Sequence, residues 1–322
     1  MSGTGDEFGR IHIEPAHRVV AETVRARVYS DAEHREAVDV KADDFDRVTY
    51  YVCVAPEQKE VLRVSLFVPC WATIREAIGD EYFSALYAEV GAAVEATPQP
   101  MYSLTVAIDL DAAAQLDAAG KDAMVSRMAT MKRDVMGAAL WVCFKALLAG
   151  GKPPRTHYAI PYRPSEMMYV VPSDDLVVVV YAIAFDNHVE QAIAKVFLHE
   201  IAVARRQSRD LQGAPSVTFS SDPPHELKQI PGLPLKTSDG FIGYVSLAVS
   251  KRIVESGRLE KAVTLAESYR AFLMFHVQAT KSQVHTRIRR RASSWLQVLN
   301  RAMPEKLNVE KKTIKGRTFN RN

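Results

Sequence analysis

Cysteine is scarce in this chain of 322 residues, which contains only Cys53, Cys70 and Cys143. Three is an odd number and no two of them form a Cys-x-x-Cys pair, so neither a disulfide framework nor a zinc site is expected. Isolated cysteines of this kind are most often free thiols in the core of proteins from reducing compartments. The sequence therefore predicts three buried thiols.

Long apolar runs and targeting signals are also missing. The longest apolar stretch, Leu176 to Phe185, is about half of the roughly 20 residues that a membrane-spanning helix needs. Residues 1–10 are rich in glycine and acidic side chains, which predicts a disordered segment rather than a secretory signal. These absences together favour a soluble cytoplasmic protein.

Motifs of enzymes are missing as well. Gly151-Lys152 is followed by Pro153, which excludes a phosphate-binding loop, and His199-Glu200 lacks the second histidine of a zinc protease. Two groups of carboxylates remain, at Asp43, Asp44 and Asp46 and at Asp109 and Asp111. Turn formation and helix N-capping explain Asp109 and Asp111 more simply than acid–base catalysis does, and catalysis is not expected of either group. The sequence thus predicts a protein that is not an enzyme.

Strand-like segments followed by a long helical pattern occur twice along the chain. The predicted strands are 48–54, 61–68, 102–108, 167–171, 176–185, 216–220 and 241–249, and the predicted helices are 111–148, 189–207 and 259–302. This order predicts an α/β protein of the α+β type, with two similar tandem domains that each contain a mostly antiparallel sheet and a long helix. We place the first domain at 11–152 and the second at 153–322, because Gly150-Gly151-Lys152-Pro153-Pro154 interrupts both patterns.

The last predicted helix, Leu259 to Ala302, is unusually long. Apolar residues recur at every third or fourth position from Leu259 to Leu299. At 1.5 Å per residue the helix extends for roughly 65 Å, about twice the width of a small domain. A body of this size cannot cover such a helix along its whole length, so part of its apolar side is predicted to pack against another chain.

The formal net charge of +3 conceals an uneven distribution. Residues 1–250 contain 24 Lys and Arg against 33 Asp and Glu, a net charge of −9, whereas residues 251–322 contain 17 against 5, a net charge of +12. An ordinary exposed helix mixes both signs at i and i+4, so the basic helix and the tail 303–322 are predicted to bind an anionic partner. Nucleic acid, an anionic membrane and an acidic protein surface are the candidates, and the uncovered apolar side of the helix favours the third.

Motifs along most of the chain can be compared with known families. His285-Thr286-Arg287-Ile288-Arg289 is followed by the segments 295–302 and 312–319. Upstream stand Ala42-Asp43-Asp44-Phe45-Asp46, Met131-Lys132-Arg133-Asp134, and the segments 162–170, 195–200 and 223–227. Together these collinear segments closely resemble the family of subunit 2 of the actin-related protein 2/3 complex.

The resemblance implies a non-catalytic role without a cofactor, since ATP binds the actin-related subunits of that complex. It implies that the long helix pairs with subunit 4, and that the pair forms the core that holds the two actin-related subunits. It also implies that this core binds the side of an actin filament, from which a branch is nucleated. We therefore expect a hetero-oligomeric protein of the cytoplasm and actin cytoskeleton, in the actin-rich cortex or cell projections.

The resemblance also indicates which residues carry these roles. The filament-binding candidates are the cations Lys281, Arg287, Arg289, Arg290, Arg291, Lys251 and Arg252. The subunit-interface candidates, which serve either this chain's own sheet or subunit 4, are Tyr269, Leu273, Val277, Val284, Ile288 and Trp295. One segment departs from the family, because Ala248-Val249-Ser250 lacks the aromatic residue and the proline that precede its basic pair. The filament contact at Lys251-Arg252 is therefore expected to differ or to be weaker.

An alternative hypothesis needs no complex. A stand-alone nucleic-acid or phosphoinositide binder would use the same basic helix and tail, and its binding would weaken steeply with salt. The collinear motifs favour the complex subunit, for which neither nucleic-acid binding nor membrane insertion is expected.

Overall fold

Residues 14–207, 215–233, 235, 238–255 and 257–302 are described by the computed structural model of this chain. The first half contains α1 (Arg18–Val28), β1 (Val38–Asp44), β2 (Val48–Val54), β3 (Val61–Phe67), α2 (Trp71–Ile78), α3 (Asp80–Ala88), β4 (Ala93–Val94), β5 (Leu104–Asp109), α4 (Leu110–Ala114), α5 (Ala118–Ala129), α6 (Met131–Met136) and α7 (Ala138–Ala149). The second half contains β6 (Tyr158–Arg163), β7 (Glu166–Pro172), β8 (Leu176–Ala184), α8 (His188–Gln207), β9 (Ser216–Ser220), α9 (His225–Lys228), β10 (Phe241–Ser250), α10 (Lys251–Val254) and α11 (Leu259–Ala302). The chain divides into two compact units after Val277.

Two five-stranded antiparallel sheets in the first unit have the same strand order. The orders are β1-β2-β3-β5-β4 and β6-β7-β8-β10-β9, so that in each sheet the fifth strand along the chain lies between the third and the fourth. Helices connect the third and fourth strands in both sheets, and helices follow the fifth. The predicted fold class, an α+β protein with two similar, mostly antiparallel sheets in tandem, is confirmed. The domain limits at residue 152 stay a prediction.

The strands lie where alternating side chains can enter a core. In β2, Val48, Tyr50, Val52 and Val54 are buried, while Thr49 is only partly covered. β8 is buried on both faces: its odd-numbered residues 177–183 join the large core that extends through both sheets, and its even-numbered residues 178–182 join a smaller core with Leu227 of α9. A strand covered on both sides needs a continuous apolar run, which explains the sequence of β8.

The helical segment after the first sheet differs from the single helix predicted over 111–148. It is divided into α4, α5, α6 and α7, with breaks at residues 115–117, at Thr130 and at Gly137. The side chain of Asp117 accepts a hydrogen bond from Gly120 N (2.8 Å) and so begins a new helix, as N-cap residues do. Across Thr130 and Gly137 the i to i+4 backbone hydrogen bonds continue, which keeps the apolar period intact and hides these breaks from the sequence pattern.

Helix α11 has the predicted bounds, and burial changes along it. Within the first unit, Val263, Ala266, Leu273 and Val277 are buried in the core. In the second unit, every residue from Ser282 to Ala302 is exposed. Among the described residues, we find no helix with both the length and the apolar character needed to cross a bilayer.

Gly137, at the junction of α6 and α7, leaves no room for a side chain. A Cβ atom there would lie 2.5 Å from the carbonyl oxygen of Arg133 and 3.0 Å from Val263 Cγ1 on α11. We expect Gly137→Ala to lower the free energy of unfolding by about 2 kcal/mol, because backbone and packed core must both shift. Urea unfolding measures the loss, and Gly151→Ala, where a Cβ meets no atom within 4 Å, is the matched control. Equal stability of the two variants would contradict this packing.

Candidate functional site

A buried group of charged side chains lies where both sheets meet α6 and α11. We call it the Lys132 cluster; its members are Asp44, Asp46, Lys132, Arg163, Glu166, Glu267 and Arg270. Lys132 Nζ lies 3.3 Å from Asp46, 3.6 Å from Asp44 and 3.8 Å from Glu267. One cation of α6 thus faces carboxylates from two other parts of the chain.

Asp46 occupies a turn between β1 and β2 that points its carboxylate inward. Its backbone is left-handed (φ 64°, ψ 26°), a conformation that aspartate tolerates better than most residues because its short side chain can bond locally. The carboxylate accepts a hydrogen bond of 2.6 Å from Arg163 of β6, besides its pair with Lys132. Asp46 therefore joins the first sheet to the second.

Glu166 of β7 joins the second sheet to α11. Arg270 Nε donates to both oxygens of the Glu166 carboxylate, at 2.8 and 3.0 Å. Arg270 Nη2 also donates to the carbonyl oxygen of Ala184 (3.0 Å). The hydroxyl of Tyr162 donates to the same carboxylate (3.0 Å). The guanidinium of Arg270 also lies 4.4 Å from the centre of the Phe185 ring. An ion pair, hydrogen bonds and a cation–π contact therefore fix the position of Arg270.

Burial and charge act in opposite directions on the ionised groups of this cluster. Burial alone would lower the pKa of Lys132, but attraction by Glu267, Asp46 and Asp44 outweighs it and raises that pKa. For the carboxyl of Glu267, burial outweighs the attraction by Lys132 and raises the pKa to about 7. Lys132 therefore remains protonated, and Glu267 is the member of the cluster that titrates near neutral pH.

A neighbouring set of ion pairs anchors the start of α11. The buried carboxylate of Asp134 pairs with Arg133 (2.9 Å) and with Arg127 (3.2 Å). Arg133 also pairs with Glu260 in the first turn of α11. The segment Lys132-Arg133-Asp134 thus contacts α11 at both Glu260 and Glu267.

The other carboxylates and the thiols have structural roles. Asp109 caps α4 by accepting from the backbone of Asp111 and Ala112, as predicted, and Asp111 pairs with Arg35 (2.7 Å). The three cysteines are free and buried, which confirms the prediction, and burial raises the pKa of both Cys70 and Cys143 to about 12. In the part of the chain that the structure describes, no three His, Cys, Asp or Glu side chains are grouped so that they could hold a metal ion.

The predicted subunit-interface residues fall into two sets. Tyr269, Leu273 and Val277 are buried by this chain, with Tyr269 stacked on Tyr181 at 5.4 Å, so they serve its own core. Val284, Ile288 and Trp295 are exposed, at 40%, 58% and 66% of their surface. Leu265 and Phe275 on the first part of α11 are about half exposed too.

The predicted filament-binding cations lie on two helices. Arg287, Arg289, Arg290 and Arg291 are exposed on α11, and Lys281 on the same helix is partly covered. Lys251 and Arg252 are exposed on α10, whose backbone is tied to the rest of the unit by hydrogen bonds to Asp175 and Arg258. The segment 303–322, which was predicted to form a basic tail, lies outside the described residues.

Sequence reasoning considered only Asp44 and Asp46 of the Lys132 cluster as site candidates, and it did not name Glu267 or Arg270 at all. Glu267 and Arg270 are charged residues next to the buried positions Ala266 and Tyr269 of α11, and Glu166 opens a strand that is otherwise apolar. Charged residues in the covered part of a long helix can indicate a buried ion-pair cluster, because buried ions need partners. The partners themselves, more than a hundred residues away, leave no local pattern.

The exposed part of α11 combines apolar side chains with several cations, residue types that are common where proteins bind other macromolecules. A sequence profile described as "Arp2/3 complex, 34 kD subunit p34-Arc" matches residues 64–306. Two similar proteins are both named actin-related protein 2/3 complex subunit 2. The one from Dictyostelium discoideum is 29% identical over 87% of this chain and 90% of its own length. The one from Schizosaccharomyces pombe is 31% identical over 89% of this chain and 93% of its own length. The chain belongs to the p34-Arc family.

The raised pKa of Glu267 predicts a pH-dependent stability. The carboxyl holds its proton more firmly in the folded chain than in the unfolded chain, where its pKa is near 4.5. The associated stabilisation is complete below about pH 4.5 and is lost as the pH rises through 7, on the order of 3 kcal/mol in total. We expect Glu267→Gln, which keeps the neutral shape, to lose less stability between pH 5 and pH 8 than the unaltered chain.

Urea unfolding at both pH values measures this difference. Glu200→Gln, an exposed substitution on α8, is the control and should behave as the unaltered chain does. If Glu267→Gln and Glu200→Gln lose the same stability between pH 5 and pH 8, Glu267 does not titrate in the folded chain as described.

Proposed function

We propose that this chain is a non-catalytic scaffold subunit of an actin-related protein 2/3 complex and binds the side of an actin filament, supporting nucleation of a branch. Family membership supports the scaffold role, and the two relatives carry the name of that complex. The observation that carries the binding role is the exposed part of α11, in which cations accompany an uncovered apolar row. We place the protein at the actin-rich cortex or cell projections.

The arrangement of side chains around α11 supports two different contacts. At 3.6 residues per turn, Val284, Ile288 and Trp295 lie within about 40° of one another and form one row. By the same geometry Arg289 and Arg290 lie roughly 120° and 140° from the centre of this row, whereas Arg287 and Arg291 border it. A helical partner on the row would therefore leave Arg289 and Arg290 accessible.

The apolar row fits a second helix. Three exposed apolar side chains in one row are costly to leave in water, and burial of each contributes about 1.5–3 kcal/mol. Spacing at steps of four and seven residues is that of helix-to-helix packing. We propose subunit 4 of the complex as this partner, with the two actin-related subunits held by the pair.

The cations fit the filament. Arg287, Arg289, Arg290 and Arg291 supply four positive charges within five residues, and no acidic residue occurs between Lys281 and Ala302. An acidic protein surface is attracted by such a segment over the Debye length, about 8 Å at physiological salt. Lys251 and Arg252 on α10 are the further candidates.

Charge reversal on α11 tests the filament contact. We expect a variant with Lys281, Arg287, Arg289 and Arg290 all changed to Glu to bind actin filaments at least about tenfold more weakly, because attraction becomes repulsion. Co-sedimentation of the native complex with filaments measures this affinity. The control reverses four exposed lysines elsewhere, Lys59, Lys152, Lys195 and Lys228, and so changes the net charge equally. Unchanged sedimentation of the α11 variant would refute the assignment.

A polar substitution in the apolar row tests the partner contact. We expect Ile288→Asp together with Trp295→Asp to abolish recovery of subunit 4 in a native pull-down, because two buried charges at a helix interface would lack partners. The matched control is Val196→Asp on α8, an apolar residue of similar exposure (64%). Recovery of all subunits with the double variant would contradict the proposed pairing.

A further inference from the structure

Ser293 lies directly after the most basic stretch of α11. The sequence is Arg289-Arg290-Arg291-Ala292-Ser293, so that arginines stand two, three and four residues before the serine. Ser293 and all residues of the helix around it are exposed. A hydroxyl in this position is accessible to a modifying enzyme and is marked by an unusual density of positive charge.

The position of Ser293 on the helix separates it from the apolar row. At 3.6 residues per turn, Ser293 lies about 160° around the helix from the centre of the row Val284, Ile288 and Trp295. A partner seated on the row therefore leaves Ser293 open to solvent. Arg289 and Arg290 precede Ser293 by four and three residues, the spacing at which side chains on a helix are neighbours.

A protein kinase must bind its acceptor in an extended conformation, so the helix has to open locally. From Ser282 to Ala302 no described side chain is buried by this chain, and tertiary packing is what normally stabilises helices of this length. Opening α11 around Ser293 breaks backbone hydrogen bonds of the helix but exposes no buried side chain among the described residues 282–302. The cost of exposing the acceptor is accordingly small.

We propose that Ser293 is a phosphorylation site for an arginine-directed protein kinase. Kinases discriminate substrates by charge patterns, and acidic subsites that read Arg290 and Arg291 would align Ser293 with the nucleotide. Ser293 Oγ attacks the γ-phosphorus of ATP, a P–O bond forms, and the bond to the β,γ-bridging oxygen breaks. ADP leaves, and the hydroxyl proton passes to the catalytic aspartate of the kinase.

The phosphoryl group would act on the cations beside it. It adds a charge of about −1.5 to −2 at pH 7 and three strong acceptor oxygens. On the helix surface Arg289 and Arg290 are in reach of these oxygens, and charge-assisted pairs would take up their guanidinium groups. This consequence rests on the proposed filament contact: phosphorylation of Ser293 removes two of its cations and lowers filament affinity.

To test the assignment, the protein is purified under native conditions and incubated with MgATP and the catalytic subunit of the cyclic-AMP-dependent kinase. Mass spectrometry of the peptides should locate the phosphate at Ser293. We expect Ser293→Ala to lower incorporation at least about tenfold, and the double variant Arg290→Gln and Arg291→Gln to do the same while keeping the acceptor. Ser294→Ala is the matched control and should leave incorporation unchanged. Absence of phosphate at Ser293, or equal incorporation into Ser293→Ala, overturns the assignment.

Filament co-sedimentation tests the consequence separately. The phosphorylated protein should bind filaments about tenfold more weakly than the unmodified protein, with a smaller dependence on salt. Equal binding of both forms overturns the regulatory role. If the unmodified protein does not bind filaments, the proposed function fails, whereas a phosphate mapped to Ser293 still supports the modification site.

Discussion

The buried ion pairs around Asp46 are the constraint on which the rest of the first unit depends. Asp46 contacts Lys132 of α6 and Arg163 of β6, and Glu166 beside Arg163 contacts Arg270 of α11. Removing one partner of such a pair leaves an uncompensated buried charge, which costs about 3–5 kcal/mol, against about 0–1 kcal/mol for an exposed pair. The observed arrangement of both sheets and the covered part of α11 keeps each of these charges paired.

Because these ion pairs involve only the first part of α11, the two parts of this helix have different roles. Up to Val277 most of its apolar residues and the charges Glu267 and Arg270 are packed within the first unit. From Ser282 to Ala302 the apolar period continues, and every described side chain is exposed. An amphipathic helix whose apolar row stays in water is stabilised mainly by what binds to it. The proposed partner contact, the proposed site at Ser293 and the arginines of the proposed filament contact lie in this exposed part, whereas the further candidates Lys251 and Arg252 lie on α10.

The success of sequence prediction followed the strength of the local pattern. β2, β9 and α11 have the predicted bounds, because their periods of two or of three to four residues are long and clear. β1 was missed although it alternates apolar with charged residues, because four of its seven residues are Asp or Lys, types that are depleted in strands. The breaks within 111–148 were missed because continuous hydrogen bonds across Thr130 and Gly137 preserve the apolar period. The motifs of the p34-Arc family were recognised, yet nothing local indicated that they contact one another.

The sequence by itself determined seven of the ten described strands, the tandem order of two similar units, the uneven charge and the length of α11, since each is encoded by residue type and spacing along neighbouring positions. Only the tertiary structure decided which part of the apolar stripe is covered, with Val277 buried and Ile288 exposed. It also decided that Asp46 and Arg163, 117 residues apart, and Glu166 and Arg270, 104 residues apart, share one buried cluster. Such contacts depend on how the fold brings distant segments of the chain together. A buried charge requires a partner, but only the topology of the fold determines which residue that partner is.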